Sequence, residues 1–306
     1  MTQNQAPQTA TLQTAAARLN GAADLYTALR RLAADTGTTP DDLPALIDAC
    51  DSATAARLTS VDQGLLRACL RAGTGPAIRT APALRAALAR ATPAPLFRPE
   101  IAHSPTTALP TRGERRDMPA FSDRAFDPWF AAQNVTYGLG LYGENRTVYA
   151  TAQFADAASP ERRTVHTGID VFAAAGTPVF APLPGKVRHV TYNADPLDYG
   201  HTLILDHQLD GLTFHTLYGH LGASLPTLLS PGDTVTQGQL IAHLGDWPEN
   251  GGWAAHVHFQ IMSDMLAQTS GNFFGVGHIS LWDVWADICL DPNLILRLPP
   301  EAFTTI

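Results

Sequence analysis

The run Ala255-His256-Val257-His258-Phe259-Gln260-Ile261 alternates in character at every residue. In a strand, residues two apart share a face. Val257, Phe259 and Ile261 therefore line one side, which has the composition of a core face. His256, His258 and Gln260 line the other, so two imidazoles point together into something else. A half-buried strand whose histidines merely hold ordinary hydrogen bonds is the plain alternative, and the rest of the chain decides between the two.

A chain of 306 residues has room for about two domains. Residues 1–91 read as an alanine-rich helical domain, a scaffold or a docking site for a protein partner. Thr39-Pro40-Asp41-Asp42 offers a helix N-cap with proline at the first helical position. Ser60-Val61-Asp62-Gln63 reads as a capping box, and Leu65, Leu66, Cys69 and Leu70 recur behind it at helical spacing. Residues 92–118, rich in proline and polar residues, read as a linker. Residues 119–306 break into short β-type runs punctuated by Gly, Pro, Asn and Asp, the texture of a mainly antiparallel sheet. Within them, residues 137–154 read as a hairpin turning at Gly143-Glu144-Asn145. The fold class expected is thus α+β, an N-terminal helical domain followed by a β-domain.

Charge is unevenly spread. Residues 1–100 carry ten arginines against eight acidic residues, whereas residues 101–306 carry ten basic against twenty acidic. An acidic C-terminal part argues against nucleic acid as a partner. No apolar stretch approaches the roughly 18 residues that span a bilayer, so no membrane partner is expected. The first twenty residues lack a basic region followed by an apolar one, and the three cysteines suit a reducing compartment. The expectation is a cytoplasmic protein.

Chemistry gathers around the histidines. His166-Thr167-Gly168-Ile169-Asp170 sets an imidazole and a carboxylate four residues apart. On a strand, residues 166, 168 and 170 would share a face, and Gly168 would leave room between two ligands. His166, Asp170 and one histidine of the His256/His258 pair make a two-histidine, one-carboxylate set. Such a set suits Zn²⁺ with a fourth position left for water. His220, in Leu217-Tyr218-Gly219-His220-Leu221, would add a further imidazole if it reaches the same place, and Tyr218 is a weaker candidate. No HExxH helix is present to supply a glutamate base, so histidine would have to move the protons. His207 is the best candidate for orienting a site imidazole. His189, His201, His215, His243 and His278 read as ordinary strand or loop residues. Trp253 is read first as a packing residue and second as a platform for substrate.

These motifs, HTGIDVFAAAGTPVFAPLPGKV, YGHTLILDH, LYGHL, PGDTVTQGQLIAHLG and HVHFQI, resemble in kind and order the lysostaphin/LytM-type zinc metallopeptidase domain, over residues 137–298 or so. The resemblance implies zinc ligands His166, Asp170 and His258, with His220 and His256 as unliganded catalytic histidines. It also implies a duplicated, hybrid-like β-sheet groove with Zn²⁺ at its floor and hydrolysis of peptide bonds in peptidoglycan. Gln260 departs from the glutamate often found after HxHF in the family, and Asp246–Ala255 departs from its usual Gly/Ser/Thr-rich loop. The segments GDWPENGGW and WADICLDPNLIL are more similar to the variant of the domain fused to kinase-like and aminotransferase domains. Two readings from other classes compete with the hydrolase. One is a metal-binding module that recognises a ligand, or acts on a small amide, within the cell. The other is a biotinyl or lipoyl carrier, which fails because the only lysine, Lys186, lies outside the TVTQGQLIAHLG turn.

Overall fold

The computed structural model describes residues 6–111, 117–146 and 152–305. Six helices lead the chain: α1 (Ala6–Leu19), α2 (Leu25–Thr36), α3 (Leu43–Ala49), α4 (Ser52–Thr59), α5 (Gln63–Ala72) and α6 (Ala81–Arg90). Acidic caps start three of them. Asp24, Asp51 and Asp62 accept backbone N–H bonds from Thr27 (3.1 Å), Thr54 (2.7 Å) and Leu65 (2.8 Å), satisfying donors that the first helical turn leaves unpaired. The cap of α5 is therefore Asp62 and not the expected Ser60, whose hydroxyl donates to the Arg57 carbonyl at 2.9 Å and closes α4 instead. Thr39 and Asp42 form a capping box ahead of α3, and Leu65, Leu66, Cys69 and Leu70 are the buried face of α5.

Thirteen strands are found among the described residues. They are β1 (Thr106–Ala108), β2 (Tyr137–Gly140), β3 (Val165–His166), β4 (Ile169–Phe172), β5 (Pro178–Phe180), β6 (Gly185–Asn193), β7 (Gly200–Leu209), β8 (Leu212–Leu221), β9 (Thr234–Val235), β10 (Leu240–His243), β11 (His256–Met262), β12 (Val276–Gly277) and β13 (Cys289–Leu290). Nine make the central sheet, in the order β1-β2-β4-β11-β8-β7-β6-β9, with β13 pairing β11. Every pairing in it is antiparallel except β1 with β2. β5 with β10 and β3 with β12 form two small ribbons. The fold is α+β, with helices first and a mainly antiparallel sheet after them.

The helices and the sheet share one apolar core. Leu65 and Cys69 of α5 belong to the same continuous cluster as Trp285 and Ile288 of the helix Trp282–Ile288 and as Val257, Phe259 and Ile261 of β11. Polar ties reinforce this packing. Arg85 reaches Asp287 (2.8 Å), the Ala77 N–H donates to the same carboxylate (2.8 Å), and the Tyr26 hydroxyl donates to Asp156 (2.6 Å). The described residues of the stretch 92–118, expected as a linker, are built into this body. They supply β1, and the Leu96 carbonyl accepts the Phe180 N–H at 2.9 Å. Composition alone pointed to a linker because proline and polar residues also suit a sheet edge. Of the hairpin expected over 137–154, β2 and the turn at Gly143 (φ 73°) are present, whereas 147–151 lie outside the described residues. No helix among the described residues is long and apolar enough to cross a membrane.

His207 is a structural residue of this fold. Its Nδ1–H donates to the Pro184 carbonyl (2.8 Å) and its Nε2 pairs with the Thr216 hydroxyl (2.8 Å), with the ring stacked on Phe214. Burial holds its pKa down at about 4, despite the favourable Pro184 carbonyl. The unfolded chain takes up this proton near pH 6.5. The stability held by neutral His207 is therefore complete above that pH and drains away as pH falls from 6.5 toward 4. Urea unfolding at pH 7 and pH 4.5 should show a loss that shrinks by about 2 kcal/mol in His207→Gln; an equal loss in both proteins would contradict the assignment.

Candidate metal centre

Register places the strand histidines. His258 of β11 pairs with Asp170 of β4 on one side and Gly219 of β8 on the other, and His256 pairs with Phe172. His256, His258 and Gln260 point to the same side, as their spacing predicts. His166 arrives differently from expectation. The chain breaks at Thr167-Gly168, so His166 lies in the β3–β12 ribbon while Asp170 lies in the central sheet. The break folds His166 over the sheet onto His258. Gly168 is required there, because a Cβ would stand 2.5 Å from His258 Cε1.

Three donor atoms converge. His166 Nε2 lies 2.9 Å from His258 Nδ1, His258 Nδ1 lies 3.1 Å from Asp170 Oδ1, and His166 Nε2 lies 3.2 Å from the same oxygen. A tetrahedral zinc with bonds of about 2.0–2.1 Å needs ligand atoms roughly 3.3 Å apart, so the triangle has the size a zinc ion requires. His166, Asp170 and His258 are the group of potential metal ligands found among the described residues, and all three are buried.

The tautomers also suit a cation. His166 Nδ1 faces the Leu141 carbonyl at 2.8 Å, and a carbonyl can only accept. The proton therefore sits on Nδ1 and Nε2 keeps its lone pair for a metal. His258 is held the other way round. Its Nε2 faces Gln260 Oε1 at 2.8 Å, while Gln260 Nε2 donates to the Phe274 carbonyl (3.1 Å) and to Cys289 Sγ (3.1 Å). These two donations fix the amide with its oxygen toward His258, leaving Nδ1 as the free donor. Asp170 is oriented by Arg146, whose Nη1 donates to Oδ2 at 2.7 Å and whose Nε pairs with Glu144 at 2.9 Å. Burial would raise the Asp170 carboxyl, yet the neighbouring His166 and Arg146 hold it well below the usual carboxylate range. Burial, helped by the Arg146 charge, pulls His166 down to about 4. A neutral His166 imidazole and an ionised Asp170 carboxylate can take a divalent cation without first losing a proton.

His220 and His256 complete the site. Their ring centroids are 4.2 Å apart, and His256 Nε2 is 3.9 Å from Asp170 Oδ1. His220 Nδ1 faces the Asn250 carbonyl (2.8 Å) and His256 Nδ1 the Ala254 carbonyl (2.7 Å). Each thus keeps Nε2 for the cleft. Burial pulls His256 down to about 4, and burial together with the His256 ring holds His220 well below its ordinary value. Asn250 shapes the Asp246–Trp253 loop by donating to the Gly245 and Trp253 carbonyls and accepting from the Gly252 and Trp253 N–H groups.

These residues sit in a cleft of about 400 Å³, lined also by Tyr199, Trp253, Arg163 and Phe274. Tyr199 places its hydroxyl 3.5 Å from His258 Nε2. Trp253 lies beside His220, with ring centroids 6.1 Å apart. Trp247 does not line the cleft; its indole N–H donates to Asp127 at 2.7 Å within a cluster of Phe121, Phe126 and Phe172. Tyr218 faces the opposite side of the sheet and packs on Phe259 at 5.2 Å. His207 touches none of the site imidazoles, whose outer nitrogens are held by carbonyls and an amide. His189, His201, His215, His243 and His278 do not line the cleft. Arg146, Tyr199, Asn250 and Arg163 were not singled out in the sequence. The Asn250 contact is made by its main-chain carbonyl, which no residue type announces.

Residues 164–270 match the model of peptidase family M23. An uncharacterized metalloprotease of Haemophilus influenzae is 36% identical over 142 residues, which cover 44% of this chain and 27% of that protein. The chain thus spans about a quarter of the length of that curated relative. A zinc-containing peptidase from Vibrio cholerae is 30% identical over 33% of this chain and 28% of its own, with a TM-score of 0.27. The catalytic domain of the antimicrobial peptidase lysostaphin from Staphylococcus simulans is 25% identical over 44% of this chain and 80% of its own, with a TM-score of 0.31. The chain carries a metallopeptidase-type domain with a His-Asp-His cluster. Over residues 164–270 that domain is a peptidase family M23 domain.

The orienting role of Gln260 has a direct consequence. Its replacement by alanine frees the His258 ring to flip and should weaken zinc binding about 10- to 100-fold, read by competition with a chelator of known affinity. Unchanged affinity would show that Gln260 does not set the ligand atom.

Proposed function

We propose that the chain is a zinc-dependent metallopeptidase that hydrolyses a peptide or peptide-like amide bond, with peptidoglycan-type peptides as the first substrates to test. The observation that carries this reading is the pair of neutral imidazoles, His220 and His256, anchored through Nδ1 and aimed into the cleft beside the His166–Asp170–His258 triangle. A structural metal site has no use for two further buried histidines with free Nε2 atoms. Zinc held by the triangle would polarise the scissile carbonyl and activate water. Hydrolysis breaks the C–N bond, adds hydroxide to the carbonyl carbon and delivers a proton to the leaving nitrogen. The histidine pair is built for the proton steps. Each ring is neutral at ordinary pH, so one can accept a proton through Nε2, and a protonated Nε2–H can donate to the oxyanion or to the leaving amine. The Asn250 and Ala254 carbonyls accept from Nδ1–H throughout and favour the charged imidazolium once it forms.

His256→Ala should keep one zinc per chain while turnover of soluble muropeptides falls about 10²- to 10⁴-fold, read by mass spectrometry of new termini. Turnover that survives the substitution would remove His256 from the chemistry. A zinc-loaded native chain that cleaves neither purified peptidoglycan nor muropeptides would favour ligand recognition without hydrolysis.

A further inference from the structure

We infer that Arg163 seats the free α-carboxylate of a short peptide in the metal cleft, so that the domain acts as a carboxypeptidase-type enzyme on small substrates. This inference rests on reading the site as a hydrolase. Arg163 lines the same cleft as Asp170, His220, His256 and His258. It lies three residues before His166, about 10 Å of extended chain. Its guanidinium is laid over the Phe274 ring, 5.1 Å from the centroid. The Phe274 carbonyl in turn accepts from Gln260, the residue that orients His258. The cation is therefore tied through one aromatic residue to the wall of the metal centre.

Its own partners leave it with capacity. Nη2 donates to the Gln153 carbonyl at 3.1 Å, and Nη1 reaches Asp156 only at 3.5 Å. Asp156 is already engaged by shorter bonds, from the Tyr26 hydroxyl (2.6 Å) and the Ala158 N–H (2.7 Å). A guanidinium has five N–H donors in a fork that matches a carboxylate. Among the described residues, two of these donors are accounted for, one of them by a contact at the limit of hydrogen-bond range. The side chain is only 13% exposed, so an anion reaching it in the cleft would meet a partly desolvated cation. Asp195 and Asp198 line the same cleft, so an arginine and carboxylates of opposite charge share it, as a zwitterionic peptide requires. A cleft of about 400 Å³ is in the size range for a small ligand. Cleavage would release the C-terminal residue. The C–N bond before it breaks, the hydroxyl of water goes to the carbonyl carbon, and its proton goes to the nitrogen of the released amino acid.

The test uses the zinc-loaded full chain with triglycine, tri-L-alanine and tri-D-alanine, each as free acid and as C-terminal amide. Binding is measured by calorimetry on the His256→Ala protein and turnover on the native one. The free acids should bind, and be cleaved, about 10- to 100-fold better than the amides. Arg163→Met should abolish that preference, and Arg163→Lys, which keeps the charge beside Asp156, should retain part of it. Equal treatment of acids and amides overturns the inference, as does a preference that survives in Arg163→Met or an absence of binding by every probe at millimolar concentration. Acid-selective binding lost in Arg163→Met, without turnover by the native chain, would overturn the carboxypeptidase action and leave only the carboxylate seat, while the hydrolase reading would still stand or fall on muropeptide cleavage.

Discussion

The site depends on hydrogen bonds made by the nitrogens that face away from it. An imidazole presents a lone pair on one nitrogen only if its proton is held on the other. Here the Leu141, Asn250 and Ala254 carbonyls hold the proton on Nδ1 of His166, His220 and His256, and Gln260 holds it on Nε2 of His258. Remove these four acceptors and the same rings, at the same positions, would present mixed donors and acceptors to the cleft. Three of the four are main-chain atoms, and main chain moves only when the fold moves. The pattern of tautomers is thus a property of the sheet and its loops.

The fold serves that pattern in two ways. Antiparallel pairing of β11 between β4 and β8 puts His258 against Asp170 and beside Gly219, where a Cβ would stand 2.5 Å from the Tyr199 ring. Apolar residues of the opposite parity, Val257, Phe259 and Ile261, lock the strand into the core, so the register cannot slip without burying the imidazoles in the wrong layer. The helical region adds to the same core and reaches the cleft through Tyr26, Asp156 and Arg163 in sequence. What reads as a scaffold by composition is thus joined to the wall of the site by hydrogen bonds.

Much of this was legible in the sequence, because period-two alternation and the HxxxD and HxH spacings are direct consequences of strand geometry. The convergence of His166, Asp170 and His258, the facing of His256 with them and the use of Gly168 for close approach all follow from side-chain parity and size. The nature of the HxxxD segment did not. It is two strands in two sheets, since Thr167 bonds to the β12 side through its N–H and the Gly275 carbonyl. A parity argument along one strand cannot see a change of partner. Tyr218 failed for a related reason: His220 has a positive φ of 62°, which turns the end of β8 and takes its ring to the other side from Tyr218. His207 was chosen as an orienting partner on its residue type, whereas the fold uses carbonyls, which sequence does not distinguish. Arg146, just past the expected Gly143-Glu144-Asn145 turn, and Arg163 meet the site only through the tertiary fold.

The most direct test of the account is X-ray absorption at the zinc edge on the zinc-loaded full chain. Tautomers fixed as described predict a four-coordinate shell of two imidazole nitrogens and two oxygens at about 2.0–2.1 Å. A sulfur scatterer near 2.3 Å, or a third imidazole from His220 or His256, would contradict it, because the first would bring a cysteine into the site and the second would leave that ring no free Nε2 for the proposed proton steps.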